Sequence, residues 1–161
     1  MNLTEFKSNF KDGGARSNLF EVQWVSDIAD VGDVKKFLCK ASNFPTSTIN
    51  PIDVFYQGRV IKVAGTRPAY TDWTVTIMND EDFKIRKDLE TWYTFMNHHE
   101  ENIRESIGLD QYKMDSATIT SFSKDGSPKG KYTFYGMFPI TVGEISADWE
   151  TDTIQTYDVT F

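Results

Sequence analysis

The chain's two histidines stand side by side, His98-His99, and two acids follow them, Glu100 and Glu101. Imidazoles and carboxylates are common metal ligands and general bases, so chemistry is sought here first. A helical metal site needs its ligands on one face, four residues apart. Adjacent helical residues point about 100° apart and cannot share one ion. No third ligand follows at a useful spacing, so the cluster reads as a solvated helix end. With both histidines used here, a Ser-His-Asp triad could be built only through this one exposed spot.

Three other acids flank tryptophans: Asp72 beside Trp73, and Asp148 and Glu150 around Trp149. Paired carboxylates beside aromatic rings could equip a sugar cleft. Acids at strand ends beside aromatics serve solvation and capping as well. The single cysteine, Cys39, rules out an internal disulfide framework, and its apolar run Phe37-Leu38-Cys39 makes it a small strand hydrophobe. Gly13-Gly14 belongs to no phosphate-cradling pattern. Lys35, Lys36 and Lys40 alternate with Phe37 and Leu38 as a solvated strand face. The residues point to no catalyst, cofactor or metal, and the chain is not expected to be an enzyme.

The elements that would position any site are mostly strands. Leu19 to Val25 alternates, with Phe20, Val22 and Trp24 on one face. Short strands are expected at 36–41, 59–64, 73–78, 117–123, 131–138 and 154–161. A further one is expected after the bend at Pro139. In TRPAYTDWTVTIMND, Trp73, Val75 and Ile77 point one way and Thr74, Thr76 and Met78 the other. Asn79 to Asp82 then supply capping residues and acids for the one convincing helix, about 80–104. Residues 1–16 read as a flexible arm and Asn43 to Gly58 as a long extended excursion. The fold class is mainly β, an antiparallel sandwich or barrel in one domain, 1–161.

That length, 161 residues, buries a core without disulfides or metal. Aromatics make up 14% of it, more than a small core need absorb, and the formal charge is -7. With a pI near 4.8, an acidic surface disfavours a protein that grips nucleic acid phosphate. No apolar leader and no 18-residue apolar span occur, so export through a signal peptide and a membrane segment are not expected. What remains is surface: the arm, the excursion, and a terminal strand ending in Val159-Thr160-Phe161 without a blunting charge or proline.

SNLFEV (17–22), FLCKA (37–41), GRVIKVAGTR (58–67), DWTVTIMND (72–80), FPITVGEISADW (138–149) and IQTYDVTF (154–161) occur in this order along nearly the whole chain. Together they resemble the tail tube protein family of contractile-tailed bacteriophages. The resemblance implies a β-sandwich with one helix, six copies in a ring, and rings stacked into a hollow tube. Strands of the six subunits would close a continuous inner β-barrel. DNA would pass through its lumen without specific binding.

The implied partners are the chain itself, a contractile tail sheath protein, a baseplate or tube initiator and a tail terminator. The implied location is the virion, after assembly in the host cytoplasm. Phe44, Ile49, Ile52, Val54, Phe55 and Tyr56 of the excursion would make inter-ring contacts, and Val159 and Phe161 would serve assembly on the open last strand. Hairpins pairing 59–64 with 72–78 and 117–123 with 131–137 would line the bore through Thr74, Thr76, Thr118 and Thr120. Lys62, Lys124 and Lys131 would then point outward, pair with acids or sit at subunit joints. Two other readings are the Hcp-like tube of a type VI secretion or other contractile injection system, and a carbohydrate-binding β-sandwich using Trp73 and Trp149.

Overall fold

A computed structural model of the chain describes residues 3–10, 14–25, 38–68, 71–103, 108 and 110–161, leaving the side chain of residue 9 aside. In chain order the elements are α1 (Leu3–Asn9), β1 (Phe20–Val25), β2 (Cys39–Ser42), β3 (Pro51–Tyr56), β4 (Arg59–Ala64), β5 (Thr74–Met78), α2 (Lys84–Met96), β6 (Ser116–Phe122), β7 (Pro128–Phe134), β8 (Thr141–Val142) and β9 (Thr156–Thr160). Lys35, Lys36, Phe37 and Gly13 lie outside the described residues.

All the strand pairs are antiparallel. One sheet has the order β1-β6-β7, a second β2-β5-β9-β8, and among the described residues β3 and β4 pair only with each other. The alternation read from the sequence is what builds the core. β1 buries Val22 and Trp24, β6 Ala117 and Ile119, β5 Val75 and Ile77, and β9 Tyr157 and Val159. From α2 come Ile85, Leu89 and Trp92, one stripe at helical spacing. Burying each Val, Leu or Ile among them fully stabilises the fold by about 1.5–3 kcal/mol. Register is fixed accordingly: a slip of one residue would put Thr74 and Thr76 into the core in place of Val75 and Ile77.

The core closes at one end around Phe161. Its ring centroid lies 5.3 Å from that of Trp24 and 5.8 Å from that of Trp73. Trp73 in turn stacks on Phe134 at 4.8 Å and donates its indole N–H to the Asn43 carbonyl at 2.9 Å. The backbones of Trp73 and Phe161 exchange both hydrogen bonds at 2.8 Å.

Four expectations are corrected. Helix α2 is shorter than 80–104. It starts where Asp80 Oδ1 accepts from the Lys84 amide, 3.0 Å, after Phe83 in the left-handed region at φ 55. It stops because Asn97 is extended, at φ -158 and ψ 118. Residues 3–9 of the expected arm form a helix. β4 does not pair with β5. It pairs with β3, because Gln57 and Gly58, at φ 45 and 78, turn the chain directly from Tyr56 into Arg59. Two consecutive positive φ angles are what a two-residue type I′ hairpin requires. Nor is the last strand an open edge: β9 lies between β5 and β8 and is hydrogen-bonded on both sides. By contrast, β6 and β7 pair as expected, Ala117 opposite Phe134 and Thr120 opposite Lys131.

Candidate assembly surfaces

The β3–β4 hairpin stands away from the core, and every residue of both strands is exposed. Cross-strand register puts Ile52 opposite Val63 and Val54 opposite Ile61 on one face. The other face carries Phe55 opposite Val60, and Asp53 opposite Lys62 in an ion pair at 3.7 Å. Phe55 is 75% exposed and Tyr56 63%, so the tip is aromatic. A solitary two-stranded hairpin with apolar side chains on both faces is marginal in water. Its base is nevertheless well made. Gly65 donates to the Asn50 carbonyl at 2.9 Å, and Asn50 to that of Thr66 at 3.1 Å.

The extended stretch 43–50 leads into this arm. Ile49 is exposed, and Phe44 sits edge-on against Tyr132 at 5.6 Å. The residues expected to form the excursion's apolar contacts are thus divided. Ile52, Val54, Phe55 and Tyr56 belong to a strand, Ile49 to the lead-in, and Phe44 lies against the body.

Beside that lead-in is a cavity of about 610 Å³. Its walls include Trp73, Tyr132, Phe134, Phe138, Ile140 and Phe161, and among the described residues Asp72 is the one charged residue lining it. Tyr135, 76% exposed, stands on its rim. Sequence reading missed the cavity. Its lining comes from four separate segments, at 45, 71–73, 132–140 and 161, and each aromatic alone reads as core.

The four threonines occupy two different surfaces. Thr74 and Thr76 share the outer face of the second sheet. Thr74 lies opposite Thr160, their hydroxyl oxygens 3.3 Å apart, and Thr160 opposite Thr141. Thr76 donates to Asp158 Oδ1 at 2.6 Å. In register on this face are threonines, Ala41, Met78 and Asp158, with Lys40 in the bulge of β2. Thr118 and Thr120 lie on the outer face of the first sheet, beside Gln23, Thr133, Glu21 and Lys131. Because the inner faces of both sheets share one core, the structure does not bring the two threonine pairs onto a single wall. Lys62 is held by Asp53, while Lys124 lines a small pocket with Arg16 and Lys129.

Val159 and Phe161 are buried, at 0% and 5% exposure, and are engaged in the subunit's own core. An assembly contact through these side chains would need that core opened. His98 and His99 are not helical. They belong to a turn closed by the His98 amide to the Ile103 carbonyl and the Asn102 amide to the His98 carbonyl, 2.8 and 2.9 Å. Among the described residues, no three His, Cys, Asp or Glu side chains cluster to hold a metal.

Asp72 borders the cavity near the end of β9, whereas Asp148 and Glu150 sit in the loop leading into its start. Asp148 accepts from the Glu150 amide and the Thr151 hydroxyl, which hold its carboxyl below the usual range. The neighbouring Trp149 is fully exposed. Burial pushes the half-buried Cys39 thiol up to about 11, leaving it poorly nucleophilic. No described helix is long and apolar enough to cross a membrane.

A family model described as phage tail tube protein matches residues 4–161. Tail tube protein gp19 of Enterobacteria phage T4 is 33% identical over 155 residues, covering 91% of this chain and 86% of that one. Two solved structures share the fold. A chain of the anti-feeding prophage baseplate superposes with a TM-score of 0.62 at 13% identity, covering 91% of this chain and 89% of its own. A chain of the PVC extracellular contractile injection system, in its extended sheath-tube complex, gives 0.61 at 16% identity, over 99% and 92%.

Proposed function

The chain belongs to the phage tail tube protein family, and from that premise we propose that it forms six-membered rings that stack into the hollow tube of a contractile tail. The single observation that carries the reading is the β3–β4 hairpin, an arm with apolar side chains on both faces and every residue of both strands exposed. In this reading the hairpin, with Ile49 and Phe44 behind it, makes the contacts between rings. Such heterologous contacts, in which one patch meets a different patch of the next copy, generate rings and open-ended filaments.

The tube conducts DNA, and a bore that conducts must not grip phosphate. Each cation contact releases counterions and adds to binding. The threonine face of β5, β9 and β8 suits the wall, with hydroxyls and Asp158 in register. The face carrying Lys131 suits it less, so Thr118 and Thr120 look away from the bore. The sheath protein surrounds the tube, a baseplate starts it and a terminator ends it. Assembly takes place in the host cytoplasm and the product is part of the virion. The role is structural and involves no catalysis.

Sedimentation over a concentration series, combined with negative-stain microscopy, tests the reading. Small species should give way to rings and tubes at high concentration. A chain that stays monomeric to millimolar, without tubes in micrographs, would exclude self-assembly through this arm.

A further inference from the structure

We propose that the apolar cavity beside Trp73 is the seat for the β3–β4 hairpin of a neighbouring copy, with Arg59 of the incoming hairpin meeting Asp72 of the cavity. The inference rests on the chain's proposed assembly with itself. The two features are complementary in shape: the hairpin is a narrow arm with an aromatic tip, and the cavity is a concave aromatic hollow of about 610 Å³. That volume lies within the range of sites that bury most of a small ligand.

Charge gives the same pairing. Asp53 and Lys62 neutralise each other on the hairpin, which leaves Arg59 beside the tip. Asp72 is the one charge that the described residues bring to the cavity lining. The hairpin does not fill its own subunit's cavity, since all its residues are exposed. It leaves from the cavity's rim, where Pro45 lines the hollow and the Asn43 carbonyl holds Trp73. A six-residue strand extends roughly 20 Å, enough to carry the tip beyond its own subunit. Every copy carries both the arm and the hollow, so seating each arm in the next hollow satisfies both in every copy. Exposed apolar patches of this kind mark interaction surfaces.

Two single-cysteine variants, Phe55→Cys and Tyr135→Cys, each carrying Cys39→Ala, are mixed in equal amounts, assembled and treated with a short bismaleimide. The expected product joins one variant to the other, and it appears in rings or tubes but not in dilute protein. In a second arm, Arg59→Asp and Asp72→Arg each raise the concentration needed for assembly, by up to about five-fold, and the double variant restores it. Tubes that form without the mixed cross-link, and charge reversals that add instead of compensating, overturn the seating while leaving the tube reading intact. Protein that never assembles at any concentration removes both.

Discussion

Gly65 faces the carbonyl of Asn50 at a distance only glycine tolerates: a Cβ there would lie 2.5 Å from the oxygen and 2.7 Å from Ile52 Cγ1. The pair sets the angle at which the hairpin leaves the body. Gly65→Ala forces the base apart, a local cost of about 1–3 kcal/mol by analogy with overpacked sites. The hairpin can open at its base without disturbing the core, so the urea midpoint of the subunit should fall by no more than this cost implies while tubes disappear from micrographs. Normal tubes from this variant would separate hairpin posture from assembly.

Phe161→Ala is expected to behave in the opposite way. The ring packs between Trp24 and Trp73 in the core. Its loss should destabilise the isolated subunit by about 3–5 kcal/mol. Denaturant unfolding at a concentration too low for assembly is the measurement. An unchanged midpoint there, with assembly lost, would return the last residue to the role of an interface contact.

Lumen placement distinguishes the two sheets. In a complementable phage, Thr74→Lys should permit tube assembly but slow DNA ejection at low salt, with recovery at high salt. Each duplex phosphate contact steepens the salt dependence of binding by roughly 0.9 on a log-log scale. Thr118→Lys, on the opposite outer face, should eject normally. If the two variants exchange phenotypes, the first sheet lines the bore.

Alkali should destabilise the subunit, chiefly through one buried phenol. Burial pushes the Tyr157 hydroxyl from 10.0 up to about 12, against the opposing pull of Arg86, whose guanidinium carbon lies 5.5 Å from the ring centroid. A raised folded-state pKa favours the neutral form, so this contribution is complete below pH 10 and lost as pH rises toward 12. The loss is on the order of 2 kcal/mol. The half-buried Cys39 adds a smaller loss between 9 and about 11, since solvent screens part of its shift. Unfolding free energy measured from pH 8 to 12 should fall steeply, and Tyr157→Phe should flatten the portion above 10. A Tyr157→Phe curve parallel to the parent's would assign the fall to other groups.

Local periodicity exposed most of the secondary structure. Val22 with Trp24, and Val75 with Ile77, are buried where period-two alternation puts them, because one face of each strand meets a core. The β6–β7 hairpin follows from its turn. Pairing across sequence was less legible. Arg59 to Ala64 and Thr74 to Met78 look like consecutive hairpin strands, yet the Gln57-Gly58 turn commits the former to β3. Gln is an uncommon occupant of positive φ, so its signal was weak. The exposed hairpin residues were visible as an apolar excess. The burial of Val159 and Phe161 was not legible, because no local pattern tells whether a terminal strand will be covered on both sides. The cavity depends on tertiary folding alone.

The second sheet ends in two poor templates. β8 is two residues long, and β2 is four residues broken by a bulge that carries Lys40. Short, bulged or charged edges resist the addition of stray strands. Before any ring exists, two free subunits meeting at either edge of this sheet gain few hydrogen bonds and separate again. Growth should therefore begin with a lag that preformed tube fragments abolish, and tube number in the cell would be set by the count of starting platforms and not by how much subunit has been synthesised.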